Sequence, residues 1–326
     1  MHPALAQAFP PLQDHTPWLS LGDWPTPVTR LGELGRRAGA EVWCKRDDLS
    51  AEICGGNKVR KLEPLLGAAL AAGARTVLTV GGAGSNHVVA CALFARRHGL
   101  GCRAVLFPQP ETEGVARTRR LVRALGVEVR ACPSRLLIPV GLALALAEDP
   151  SGAYLIGPGG SSPLGTLGFV AGGLELAGQV AAGALPVPDE IVLPLGSGGT
   201  AAGLLLGLAV ARLPARVVAV RVVERPLAGA TLVKNLARRA ARLLGWRGKL
   251  GGLELVHDQI GRGYGHPTRA ALDAVALAHD QEGLLLEPTY TGKAMAALLA
   301  RRGTGKRILF WNTHNSRDLS RLLEPP

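Results

Sequence analysis

The chain has 326 residues, 47% of them apolar and 4% aromatic, which is long enough for one large or two medium domains and too apolar for a disordered chain. A net charge of +12 invites a nucleic-acid reading, densest in KNLARRAARLLGWRGK from Lys234 to Lys249. Leucine and alanine recur through that run at helical spacing and no nucleic-acid motif accompanies it, so it reads as a solvated amphipathic helix. In chain order, a helix is predicted over 58–72, then a strand at TVLTV from Thr76 and a helix over 86–98. The strand RAVLF from Arg103, a helix over 113–125, and the strands VEVRA from Val127 and AYLI from Ala153 follow. Beyond them come a helix over 166–183, EIVLPL from Glu190, a helix over 200–212, RVVAVRVV from Arg216 and a helix over 228–244. LELV from Leu253, helices over 267–281 and 291–302, and RILFW from Arg307 complete the series. Strand and helix alternate throughout, which predicts an α/β fold of open twisted parallel sheets with helices on both faces. There are more strands than one open sheet holds comfortably, which argues for two lobes.

Five cysteines, Cys44, Cys54, Cys91, Cys102 and Cys132, form no CxxC pair and read as reduced, mostly buried thiols of a cytosolic protein. Cys54 abuts a glycine pair and is a candidate reactive thiol, with packing as the plainer role. MHPALAQAFPPLQDH lacks a basic head before an apolar run, so no signal peptide is expected. Two uncharged stretches, Leu155–Leu174 and Ile191–Ala211, are each broken by Pro and Gly into strand, glycine loop and helix. Neither is read as a membrane span, and a cytoplasmic protein is expected.

Only seven of the 37 basic residues are lysine, yet GGNKVRK, Gly55 to Lys61, places two of them three positions apart behind paired glycines. Arginine stays protonated near neutral pH, whereas a desolvated lysine can act as nucleophile or base, so an amine is wanted there. Three further glycine clusters follow or precede apolar runs: GGAGSNH at 81, GPGGSSPLG at 157 and GSGGTAAG at 196. The last follows a strand and opens a helix, so its backbone amides can bind a phosphate. GSGGTA also fits the loose dinucleotide form GxGxxG/A, with Glu224 near the place of a ribose-binding acid, and an NAD-dependent oxidoreductase is the competing class. That reading leaves GGNKVRK, GGAGSNH and EPTYTGKAM without work. Pyridoxal 5'-phosphate needs a lysine amine, an anion cradle, a partner for the ring nitrogen and a hydrogen bond to the ring hydroxyl, and the chain has a candidate for each.

The run KRDDLSAEICGGNKVRKLEPLL resembles the cofactor-lysine segment of the fold-type-II pyridoxal-phosphate enzymes, in particular the D-cysteine desulfhydrase and 1-aminocyclopropane-1-carboxylate deaminase family. The resemblance continues in order through WPTPVTRL at 24, GGAGSNHVVACA, GPGGSSPLGTLGF, GSGGTAAGL, GYG at 263 and LLLEPTYTGKAMAAL at 284. It implies that Lys58 is the Schiff-base lysine and the base at the substrate α carbon. Lys61 approaches the phosphate, and its charge would depress the pKa of Lys58. Asn86 is implied to bond the ring hydroxyl, with Ser85, His87, Gly160 and Thr313 on the substrate side. Gly196, Ser197, Gly198, Gly199 and Thr200 match the phosphate loop, Tyr290 an active-site tyrosine, and Thr291 the ring-nitrogen partner. Read without the resemblance, Ser85 and Asn86 could simply cap the next helix, and Tyr290 could be a core aromatic.

Threonine at 291, where the deaminase branch carries glutamate, favours β-elimination and therefore desulfhydrase chemistry. The chain departs from the desulfhydrase pattern at Ala83-Gly84, before SNH, and at WNTHNS from Trp311, where a glycine pair is usual. Other small amino acids, D-serine or β-chloroalanine, are chemically equivalent substrates, and the deaminase activity is the alternative. The resemblance further implies a small lobe over 60–165 inserted into a large cofactor lobe built from 1–59 and 166–326, with the active site in the cleft between them, and a homodimer.

Overall fold

The structure, a computed structural model, describes residues 1–149, 152–224, 228–301, 303 and 305–323. Its strands are β1 (Val28–Arg30), β2 (Glu41–Lys45), β3 (Thr76–Gly82), β4 (Gly101–Phe107), β5 (Glu128–Ala131), β6 (Ala153–Ile156), β7 (Glu190–Leu195), β8 (Arg216–Arg221), β9 (Leu253–Val256) and β10 (Arg307–Trp311). The helices begin with α1 (Pro3–Ala8), α2 (Leu12–His15), α3 (Gly32–Ala38), α4 (Lys58–Ala71), α5 (Asn86–Arg97) and α6 (Glu113–Ala124). They continue with α7 (Ile138–Ala147), α8 (Pro163–Ala181), α9 (Gly199–Val210), α10 (Ala230–Leu243), α11 (Arg269–Glu282) and α12 (Thr291–Ala300).

Two sheets form. One has the order β1-β2-β10-β7-β8-β9, the other β5-β4-β3-β6. Every neighbouring pair is parallel except β1 with β2, a three-residue edge strand set antiparallel. The sequence reading missed both of those strands. β1 is too short to show a period, and β2 is a five-residue run that ends at Lys45, where the quoted lysine segment begins.

Helices cover both faces of each sheet, because strands in parallel sheets are apolar on both sides. On the six-stranded sheet, Ile191, Leu193 and Leu195 of β7 face α8, α9 and α10, while Val192 faces the side packed by α3, α11 and α12. On the four-stranded sheet, α4, α5 and α6 pack one face and α7 the other. α7, IPVGLALALA, is apolar all round and shows no 3.6-residue stripe, which is why the sequence pattern predicts no helix there.

Caps explain shifted boundaries. α8 starts at Pro163, three residues before its predicted start, because the Ser162 side chain accepts a hydrogen bond from Gly165 N and Pro163 occupies the first turn. By length and composition α8 could cross a membrane. In the fold it packs against α4, α9 and α10 and buries Glu175 among charged partners. Close backbone approach sets this packing: a Cβ on Gly168 would lie 1.9 Å from Arg60 O, and one on Gly203 2.3 Å from the Phe169 Cβ. The carboxyl ends of β3, β6, β7 and β10 lead into Gly81–Ser85, Gly157–Ser161, Gly196–Gly198 and Asn312–His314, the segments that build the site below.

Candidate active site

Lys58 is the first residue of α4, and the turn before it is fixed by backbone contacts. Gly56 has φ +98°, and a Cβ there would lie 2.9 Å from His314 O, so glycine lets the loop rest on the turn after β10. Asn315 Oδ1 accepts from Gly55 N at 2.7 Å, and Thr313 O accepts from Asn57 N at 3.3 Å. The WNTHNS departure thus braces the lysine loop. Asn57 Oδ1 accepts from Lys58 Nζ at 2.8 Å, and Asn57 Nδ2 donates to Thr200 Oγ1 at 3.0 Å, so one amide ties the lysine to the loop after β7.

Lys61, one turn along α4, donates from Nζ to Gly159 O at 3.2 Å and to Ser161 Oγ at 3.3 Å. Ser161 Oγ also accepts from Gly199 N at 3.0 Å and lies 2.8 Å from Ser197 Oγ. Gly198, at φ +88°, is the N-cap of α9 and has no side chain to cap the helix, so Ser161 reaches the first N–H from another loop. A helix start with a glycine at its N-cap, two hydroxyls and a buried lysine amine form an anion cradle. A Cβ on Gly199 would lie 2.5 Å from Ser161 Oγ and 3.1 Å from Lys61 Nζ, so the loop must be bare of side chains there. These residues fit a phosphate monoester beside an amine.

The electrostatics agree. Burial lowers the Lys58 pKa to about 8, with Glu287 pulling it back up. Lys61 is held well below the ordinary lysine value by burial and then by Lys58. Burial is the larger cause at both lysines, and the two like charges one turn apart disfavour each other's protonation. His87 is buried, 3.0 Å from Thr79 Oγ1 through Nε2, and burial together with the two lysines keeps it neutral. Gly160, at φ +66°, is buried between Lys61 and His87.

Ser85 caps α5, its Oγ accepting from Val88 N at 3.4 Å, while Asn86 begins that helix with an exposed side chain. Tyr290 stands at the N-cap position of α12 without a side-chain capping bond, and a Cβ on Gly196 would lie 3.4 Å from its ring, which places the tyrosine against the loop after β7. Its hydroxyl donates to Tyr264 OH at 2.8 Å. Thr291 is fully buried; Oγ1 accepts from Glu287 N at 2.9 Å and donates back to Glu287. The Glu287 carboxylate accepts the backbone N–H groups of Thr289, Tyr290 and Thr291, each at 2.8 Å. Thr313 is half-buried, and among the described residues its hydroxyl has no hydrogen bond.

A search with family models matches residues 19–313 to the pyridoxal-phosphate dependent enzymes. The chain belongs to that family. Among pyridoxal-phosphate dependent enzymes it is 38% identical over 323 residues to a Pyrococcus abyssi protein named "Putative 1-aminocyclopropane-1-carboxylate deaminase", covering 96% of this chain and 94% of the relative. It is 37% identical over 292 residues to a D-cysteine desulfhydrase of Klebsiella pneumoniae, covering 87% and 88%. A crystal structure of an ACC deaminase homologue superposes with a TM-score of 0.83 at 35% identity, covering 99% of both chains. A threonine deaminase structure at TM-score 0.66 and 22% identity shares the fold. The chain is therefore an enzyme of the ACC deaminase and D-cysteine desulfhydrase type with the fold-type-II architecture, and its cofactor is pyridoxal phosphate.

The competing dinucleotide reading fails at its acid. Glu224 Oε1 accepts from Tyr264 N at 2.8 Å and Oε2 pairs with Arg135 at 2.5 Å, so both oxygens are engaged with protein. Cys54 is equally reassigned: burial pushes its thiol up to about 12, which makes it a packing residue. Sequence reasoning overlooked Asn57, Ser161, Tyr264 and Glu287. All four sit inside quoted motifs; Glu287 lies just before α12, where its carboxylate accepts N–H groups at the helix start.

Proposed function

We propose that the protein is a D-cysteine desulfhydrase, converting D-cysteine and water into pyruvate, sulfide and ammonia. The observation that carries this reading is the chemistry at the start of α12. The acid there, Glu287, is spent on three backbone N–H groups, and the side chains left for the ring nitrogen, Thr291 and Thr313, are hydroxyls. Of the two, Thr313 has the hydroxyl without a hydrogen bond. A hydroxyl does not keep a pyridine nitrogen protonated, which suits a reaction whose leaving group departs as the α proton is lost.

Bound pyridoxal phosphate supplies an aldehyde that captures the substrate amine and a ring that draws electrons from the α carbon. Lys58 takes the α proton; a pKa of about 8 leaves a usable neutral fraction near neutral pH. Asn57 keeps its Nζ aimed at the cleft. Lys61, Ser161, Ser197 and the amides from Gly196 to Thr200 hold the phosphate, and Asn86 meets the ring hydroxyl. Ser85 and Gly160 border the substrate carboxylate, with neutral His87 packed behind them. The Tyr264–Tyr290 pair holds the proton that the departing sulfur takes up.

The test is product analysis on the purified holoenzyme with D-cysteine, L-cysteine and 1-aminocyclopropane-1-carboxylate. Pyruvate and sulfide released fastest from D-cysteine are expected. Faster release of 2-oxobutyrate from the cyclopropane substrate would overturn the reading in favour of the deaminase.

A further inference from the structure

Arg135 lies outside every motif that marks the active site, in the short turn Arg135–Leu137 that follows β5 of the four-stranded sheet. Its guanidinium reaches the other sheet. Nη1 pairs with Glu224 Oε2 at 2.5 Å in the segment after β8, while the guanidinium carbon stands 4.6 Å from the centre of the Tyr264 ring and 5.1 Å from that of Phe107, the last residue of β4. Glu224 uses its second oxygen on the backbone N–H of Tyr264. Gly263 makes room for that carboxylate: at φ +121°, a Cβ would lie 2.5 Å from Glu224 Oε1. From α12, Lys293 donates to Ile260 O at 2.9 Å and to Gly263 O at 3.4 Å, fixing the loop that delivers Tyr264. The ring of Tyr264 then meets Tyr290 edge-on, with centroids 5.9 Å apart.

We propose that Arg135 is a positioning residue, clasping the four-stranded sheet onto the wall that carries Tyr264 and holding that phenol as the acceptor of the Tyr290 hydroxyl. The geometry separates the two phenols. Burial raises both, but Tyr264 accepts the Tyr290 O–H and lies under the guanidinium, whereas Tyr290 faces Tyr264 as a donor and is pushed well above its ordinary value. The charged groups around Tyr264 are Arg135, which favours its phenolate, and Glu287 and Glu224, which oppose it; Lys293 lies in the field of the same two carboxylates. Removing the guanidinium leaves those carboxylates unopposed at the ring and unties the two sheets at the same point. A cation over an aromatic face in a partly desolvated site is worth a factor of about ten in such an equilibrium.

The test uses the holoenzyme in wild-type, Arg135→Met, Arg135→Lys and Tyr264→Phe forms, with tyrosinate difference absorbance against pH and D-cysteine kinetics as separate readouts. In wild type the first ionisation of the pair is expected, and it should vanish in Tyr264→Phe. Arg135→Met should move it up by about one pH unit and lower kcat about tenfold. Arg135→Lys, which keeps the charge and loses the flat stacking surface, should recover part of both. A tyrosinate transition unmoved in Arg135→Met, or moved equally in Arg135→Lys, overturns the proposal. The titration needs no substrate: if wild type does not turn over D-cysteine, the desulfhydrase reading falls while the titration still decides the role of Arg135.

Discussion

The two faces of α4 treat charge in opposite ways. On one face Arg60 is fully enclosed, donating to Asp47 from Nε and Nη2 at 2.8 Å each and to Glu175 at 2.9 and 3.0 Å. Lys45, His2, Thr26 and the Trp311 indole complete that set. Burial alone would weaken the guanidinium, but the two carboxylates more than offset it and hold Arg60 above its ordinary value. On the other face half-buried Lys58 and buried Lys61 lie near a neutral imidazole and the glycine start of α9, and both amines are depressed. Where the chain supplies the counter-charges, the cluster is architecture. Where it withholds them, binding energy is reserved for an anion from outside.

Lys58→Ala should have the largest effect, removing the cofactor's near-visible band and lowering turnover by roughly a thousandfold or more, while thermal unfolding of the apoprotein stays near wild type. Full turnover in that variant would remove the basis of the active-site assignment. Arg60→Met should do the reverse, leaving Asp47 without its guanidinium and Glu175 with only Lys45 and His2, and costing about 3–5 kcal/mol in denaturant unfolding. Whatever fraction folds should still form the near-visible band. If Arg60→Met instead abolished the band in folded protein, the two faces would not be separable.

Lys61→Met should leave the apoprotein as stable as wild type or more so, because an uncompensated buried cation is lost. The same change should weaken cofactor binding about tenfold to a hundredfold, the worth of a charge-assisted hydrogen bond, measured by equilibrium titration of pyridoxal phosphate. The smallest effect is in pH. On the proposed reading the neutral amine of Lys58 is the nucleophile, and a pKa lowered to about 8 means that it is protonated below that value. The rate of cofactor uptake by apoenzyme should therefore rise about tenfold per pH unit up to pH 8 and level off above it, whereas an unshifted lysine would keep rising.

The sequence made the alternation of strands and helices legible because buried parallel strands and amphipathic helices leave strong local patterns. Lys58 and the loop after β7 were visible for a different reason: rare lysines and clustered glycines are costly choices that packing alone does not call for. The missed elements have physical causes. β1 holds only three residues, and α7 has no polar face to reveal its period. The partners of the motif residues were hidden by distance along the chain: Asn57 meets Thr200, Lys61 meets Ser161, and Tyr290 meets Tyr264. Glu224 shows the converse hazard. Its position matched a ribose acid by spacing, but both oxygens were already engaged by Arg135 and the Tyr264 amide.

The missing side chains on Gly168 and Gly203 weld three helices into one block. Because α4 lies backbone to backbone on α8, and α8 on α9, the distance from the start of α4 to the loop after β7 is set by peptide planes rather than by adjustable side chains. If Lys58 and that loop hold the two ends of the cofactor, as proposed, both ends are moored to a single stiff frame.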